Sequence, residues 1–172
     1  SRYNILLKIQ KGLFIMALIS TKEILAVAEK EKGFAIGAFN VHNMEYTQAV
    51  VKAAEELKAP VILMLGEPMI PYMGLDMMVA ITKEAASKAK VPVAIALDHG
   101  KDMNNVNRSI ELGISIMYDG SHYGFEENVQ KTRSVVEYAH SLGISVEAEL
   151  GSLAGSEDSE AEGTEFMTDP HK

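Results

Sequence analysis

Cysteine is absent from the 172-residue chain, which excludes both disulfide stapling and thiolate metal sites. Any transition metal must then be held by histidine and carboxylate, and a cytosolic compartment is the simplest expectation. Basic charge is also scarce: 16 Lys and Arg against 24 Asp and Glu give a formal charge of −8. Nucleic-acid binding needs a clustered basic face, so a small molecule is the expected partner. No apolar run approaches the roughly 18 residues of a membrane span, and the stretch from Leu13 to Ile19 is short. The chain therefore reads as soluble, without membrane contact.

What is present is the composition of one globular domain, 47% hydrophobic and 23% charged. Residues 1–15 mix basic and apolar residues without helix caps, and Met16-Ala17-Leu18-Ile19-Ser20 has the look of a natural start. Residues 1–15 are expected to be an upstream or non-native extension, and 16–172 to be the domain. Ser20, with Glu23 three residues on, is the expected cap of an opening helix that runs to Lys30. Phe34 to Phe39 then reads as a first strand, closing on Asn40 and His42.

The pattern then repeats. Helical periodicity over Asn43 to Leu57 leads to a strand at Val61 to Leu65, and a helix from about Asp76 to Lys90 leads to Val93 to Leu97. A helix at Met103 to Leu112 precedes a strand at Ile114 to Tyr118, and one at Glu126 to Leu142 precedes Ile144 to Ala148. Runs apolar on both faces suit parallel strands covered by helices. Five such units fit either a flavodoxin-like doubly wound sheet or part of an eight-stranded TIM barrel. The strand ends favour the barrel. Each delivers polar or permissive residues (Asn40, Gly66-Glu67, Asp98-His99, Asp119, Glu149), as expected when every strand feeds one C-terminal face. Asp169-Pro170 has the form of another helix start, so the chain is expected to hold a partial barrel.

Asp98 and His99 follow a strand directly, with side chains expected on opposite sides of the strand line. A capping Asp beside a hydrogen-bonded loop His is the commoner meaning of such a pair. Asp119 and Glu149 change the balance. At equivalent positions on the next two strands, they would bring three carboxylates and an imidazole to one mouth, a costly arrangement unless a cation offsets the repulsion. A His and carboxylate set suits zinc or a similar divalent ion.

Four segments taken together resemble the class II, zinc-dependent fructose-bisphosphate or ketose-bisphosphate aldolases. They are Ala38-Phe39-Asn40-Val41, Leu97-Asp98-His99-Gly100, Asp119-Gly120-Ser121-His122 with Phe125-Glu126-Glu127-Asn128, and Glu147-Ala148-Glu149-Leu150-Gly151. The resemblance implies a TIM (β/α)8 barrel, of which about the first five βα units lie in this chain. It implies a lyase of glycolysis cleaving fructose 1,6-bisphosphate, with tagatose bisphosphate as the alternative and an inactive partial barrel as the rival.

It also implies roles for individual residues. His99 becomes a zinc ligand, Asp98 the acid/base at the C4 hydroxyl, and Asp119 and Glu149 carboxylates that can hold the metal in an alternative position. Glu157 becomes the proton carrier at the donor carbon, on a mobile loop at about 151–168, although a solvated acidic loop explains Glu157 equally well. Asn40 becomes a substrate contact. Zinc is the implied cofactor, with a monovalent cation as a further candidate, and a cytoplasmic homo-oligomer the implied assembly. Where the family often carries a Ser that helps hold the second phosphate, this chain has Gly66, followed by Glu67-Pro68. The other two zinc histidines and the phosphate loops of the family fall after Lys172.

Overall fold

The computed structural model describes residues 17–30, 34–151 and 168. Helix α1, Thr21–Lys30, starts at the expected capping box. The Glu23 carboxylate accepts from the Ser20 N–H at 2.9 Å and from its Oγ at 2.8 Å, and Ser20 Oγ accepts in turn from the Glu23 N–H. Strand β1, Gly37–Asn40, is followed by α2, Met44–Leu57, whose N-cap Asn43 accepts from the Tyr46 N–H at 2.8 Å. Strand β2, Val61–Gly66, runs into a 3₁₀ turn at Glu67–Met69, a single helical turn α3 at Ile70–Met73, and α4 at Leu75–Lys88. Then come β3 (Val93–Gly100), α5 (Met103–Glu111), β4 (Ser115–Tyr118), α6 (Phe125–Ser141) and β5 (Val146–Ala148).

All five strands are parallel and lie side by side in chain order, β1-β2-β3-β4-β5. A flavodoxin-like sheet would place its first strand between its second and third. The sequential order removes that alternative, and the chain has the fold of part of a (β/α)8 barrel. The expected first strand was longer than the observed one: among the described residues β1 pairs only with β2, and that pairing begins where Gly37 meets Val61. Ordered pairing needs a partner, and residues 34–36 have none among the described strands.

Side chains alternate along the strands between two cores. Val61, Leu63, Leu65, Val93, Ile95 and Leu97 pack outward among residues such as Met78, Val79, Val106 and Val135 from the helices. Ile62, Ala94 and Ala96 face the opposite way and form a smaller cluster with Ile24 of α1. Ile24 is 1% exposed. Helix α1 is tied across the starts of the strands: Ile19 N–H donates to the Val93 carbonyl at 2.9 Å, Thr21 Oγ1 to Ser115 Oγ at 2.8 Å, and Lys22 N–H to Ser145 Oγ at 3.3 Å. The N-terminal end of the barrel interior is thereby covered, and the open end is the C-terminal one.

Candidate functional site

The inward series of β3, Ala94 and Ala96, continues to Asp98, which brings its carboxylate to the open end. One residue later the alternation breaks. Leu97 pairs with Ile116 and Gly100 with Tyr118, so three steps on β3 match two on β4. That single extra residue is a β-bulge. His99 absorbs it with a left-handed backbone, φ 49°. Gly100 returns to the helix-facing side, where an added Cβ would lie 2.5 Å from Leu97 Cδ2 and 3.0 Å from Val106 Cγ2. Asp98 and His99 both sit between two outward-facing residues and share the mouth. Period-2 reasoning puts the two side chains on opposite sides of the strand line, both able to reach the mouth; it assumes a regular strand, and the bulge is the irregularity.

Asn40, at the end of β1, reaches over β2 and donates through Nδ2 to Asp98 Oδ2 at 2.7 Å. It passes Gly66, where an added Cβ would stand 3.4 Å from that nitrogen. That distance is an ordinary contact, so the departure from the family's Ser is not explained by crowding against the Asn40 amide. Asp119 and Glu149 follow β4 and β5 directly, and the pairing of Tyr118 with Ala148 sets them side by side. His99 Nδ1 lies 3.2 Å from Asp119 Oδ2 and 3.2 Å from Glu149 Oε2. One ligand atom from each of these three residues falls within 4.8 Å of the others. His42, His122 and His140 contribute nothing to the cluster. Glu157 lies outside the described residues.

The electrostatics of the three groups differ. Burial pulls the His99 imidazolium down, but the Asp119 hydrogen bond and the charges of Asp98, Glu149 and Asp119 outweigh it, and its pKa sits above the ordinary histidine value. Burial pushes Asp119 up, yet hydrogen bonds from the Ser121 hydroxyl and N–H and from His99, with the Lys101 charge, bring it down to about 2. Glu149 is raised by burial and by repulsion from Asp119, against partial relief from His99 and Lys101. Although Glu149 Oε2 is close to the imidazole, the geometry is not that of a hydrogen bond, and this buried oxygen has no hydrogen-bond partner among the described residues. An unpaired buried carboxylate oxygen costs free energy that a coordinated cation would recover. The donor set fits a divalent metal.

Several contributors had no role assigned from sequence. Lys101 places Nζ 3.3 Å from Asp119 Oδ2. Asn128, 5% exposed, donates to the Glu149 carbonyl at 2.9 Å and accepts from Thr132 Oγ1 at 3.1 Å. Gly120 makes room for it, since an added Cβ would stand 2.1 Å from Asn128 Oδ1. The available signal was a polar residue on the buried face of α6, at the fourth position of the helix. Glu67 turns away from the metal cluster and accepts from the turn after β3.

Residues 19–172 match the family described as fructose-bisphosphate aldolase class-II. The chain belongs to the class II fructose-bisphosphate aldolase family. Relatives within it include the probable fructose-bisphosphate aldolase of Bacillus subtilis, 50% identical over 147 residues, covering 83% of this chain and 51% of that protein. The fructose-bisphosphate aldolase of Thermus caldophilus is 47% identical, covering 90% and 51%. The chain thus spans about half the length of these relatives. Among solved structures, a putative fructose-1,6-bisphosphate aldolase from Coccidioides immitis superposes with a TM-score of 0.79 at 33% identity, over 88% of this chain and 54% of that one. The YdjI aldolase of Escherichia coli K12 gives 0.73 at 38%, over 78% and 52%. Members of this class II family are generally metal-dependent, in keeping with the donor set. Among the described residues of this family member, no helix is long and apolar enough to cross a membrane.

Proposed function

We propose that the five βα units belong to a cytoplasmic, homo-oligomeric, zinc-dependent aldolase of glycolysis that cleaves fructose 1,6-bisphosphate to dihydroxyacetone phosphate and glyceraldehyde 3-phosphate. The observation that carries this reading is the convergence of His99, Asp119 and Glu149 beside an Asp98 carboxylate held by Asn40. In retro-aldol cleavage the C4 hydroxyl loses its proton, the C3–C4 bond breaks, and its electron pair stays with the donor half.

Asp98 takes the hydroxyl proton. The Asn40 amide occupies Oδ2, fixes the carboxylate, and leaves Oδ1 for substrate. His99 would hold the metal, with Asp119 and Glu149 offering further oxygens and Lys101 balancing their charge. A divalent ion there supplies Lewis acidity for the charge that develops on the donor half. Glu157, outside the described residues, would move the proton at the donor carbon, and a monovalent cation is a further candidate cofactor. Tagatose bisphosphate differs at C4, the carbon whose hydroxyl Asp98 serves, and is the nearest alternative substrate.

Coupled cleavage of the two sugars by a protein that carries these five units within a whole barrel, with zinc and then with a chelator, tests the reading. Turnover that a chelator abolishes, and that falls by at least about 10²-fold in Asp98→Ala, is expected. Metal-independent turnover, or an Asp98→Ala variant as active as the parent, would sink it. A second reading, a non-catalytic five-stranded unit, draws on one observation: β1 and β5 each pair on one side only among the described residues. Metal binding without cleavage of either sugar would favour it.

A further inference from the structure

Glu67 was expected at the barrel mouth, yet it serves another part of the chain. It opens the 3₁₀ turn after β2 and lies half-buried. Its Oε2 accepts from the Lys101 N–H at 2.9 Å, and its Oε1 accepts from the Asp102 N–H and from Asn105 Nδ2, each at 3.0 Å. All three donors belong to the segment that leaves β3, which begins two residues after His99.

Just before that segment, His99 is the one non-glycine residue near the site with a left-handed backbone among the described residues. A non-glycine residue in the left-handed region costs on the order of 1 kcal/mol and persists only where its surroundings over-determine it. Before His99 the chain is held by the pairing of Leu97 with Ile116. After it, the Asp119 N–H donates to the Gly100 carbonyl at 3.1 Å. The next two backbone N–H groups are both taken by Glu67. The same turn aims the Lys101 ammonium at Asp119 Oδ2, the oxygen that also faces His99 Nδ1. One carboxylate thus grips the exit of the bulge.

We propose that Glu67 is a positioning residue: by holding the Lys101–Asp102 turn it fixes the His99 imidazole and the Lys101 ammonium against Asp119 and Glu149. This rests on the reading of that cluster as a metal site. A purely structural account is also available, because Asp102 is the N-cap of α5 and a second carboxylate beside a helix start stabilises it. The two accounts differ in what Glu67→Gln does to the metal site at constant stability.

Co2+ is the probe, because its visible ligand-field bands report both affinity and coordination. In Glu67→Gln one acceptor becomes an NH2 group, so at least one of the three hydrogen bonds is lost while size is kept. The expected result is Co2+ affinity weakened on the order of tenfold, as for groups that orient metal ligands, with altered bands. Amide exchange at Lys101 and Asp102 in the metal-free chain should accelerate. Glu67→Ala should exceed Glu67→Gln if it folds. Asp102→Ala removes the α5 cap, a cost of about 1 kcal/mol, while leaving the Glu67 carboxylate in place, and should alter Co2+ affinity less than twofold.

Parent-like Co2+ binding by Glu67→Gln would overturn the inference and leave the metal site standing. Equal weakening by Asp102→Ala would reduce it to general loosening of the turn. An effect that disappears near 1 M salt, where the screening length is about 3 Å, would trace it to lost charge at a distance. A parent chain that binds no Co2+ would overturn the metal reading and this inference together.

Discussion

At the scale of single residues, the site sets carboxylates of opposite tendency next to one another. Glu149 has a raised pKa, so the folded chain holds its proton more tightly than the unfolded one, and its ionisation opposes folding above that pKa. Glu149→Gln should therefore melt higher than the parent at pH 8 in chelator, and the gap should close as pH falls through the ordinary carboxylate range. Asp119 behaves in the reverse sense. Its pKa of about 2 stabilises the fold above the unfolded value near 4 and is lost as pH falls towards 2. It is 2% exposed, so the shift is weakly screened and corresponds to roughly 2 kcal/mol. Denaturant titrations of Asp119→Asn against the parent at pH 7 and pH 3 should show a penalty that shrinks at the lower pH. Asp98, His99, Asp119 and Glu149 were legible as a group because each ends an apolar run. Asn128 stood in one of the resembling segments and Glu67 at a strand end, but their roles, and Lys101 altogether, were not legible, because each acts through a backbone group or a neighbour that only the folded chain brings near.

At the scale of elements, helix α1 and strand β3 carry most of the architecture that aims the site. Ile24 is the apolar plug from α1 into the barrel interior. Ile24→Ala should cost roughly 2–5 kcal/mol, measured by urea unfolding, and should leave the outward-facing core untouched. Gly120→Ala tests the brace between α6 and β5. Its Cβ cannot coexist with Asn128 Oδ1 at 2.1 Å, so the hydrogen bond to the Glu149 carbonyl should break. A stability loss of about 1–3 kcal/mol is expected, together with weaker Co2+ binding. Helices were readable from periodicity and caps, and buried strands from their apolar runs. Strand β1 was misjudged in length because its apolar residues are not paired along their whole run: all four residues of Gly37–Asn40 are exposed.

For the molecule as a whole, the sheet has two open sides among the described residues, at β1 and β5. Phe39 on β1 is 52% exposed and Leu57 of the adjoining helix 71%. Phe34, Phe39, Val50, Ala53, Leu57 and Pro60 line an apolar cleft along that side. Unpaired strand edges beside apolar surface favour association. Sedimentation velocity over a range of concentrations should show self-association, and Phe39→Lys should shift the boundary towards the monomer without lowering Co2+ affinity. An unchanged boundary would assign the association to another face. The sequential strand order could be anticipated from the way polar residues close every strand, and a homo-oligomer was expected from the resemblance, but the face that would associate was not legible, because an exposed aromatic on an edge looks the same in sequence as a buried one.

The bulge at Asp98-His99 also bears on inheritance. Loss of one codon between Leu97 and Gly100 would restore an uninterrupted ladder with β4, keep every outward-facing core residue in phase, and yield a chain that folds. It would take with it one of the two side chains on which the proposed chemistry depends. Such a deletion would register chiefly as a lost activity rather than as a lost fold.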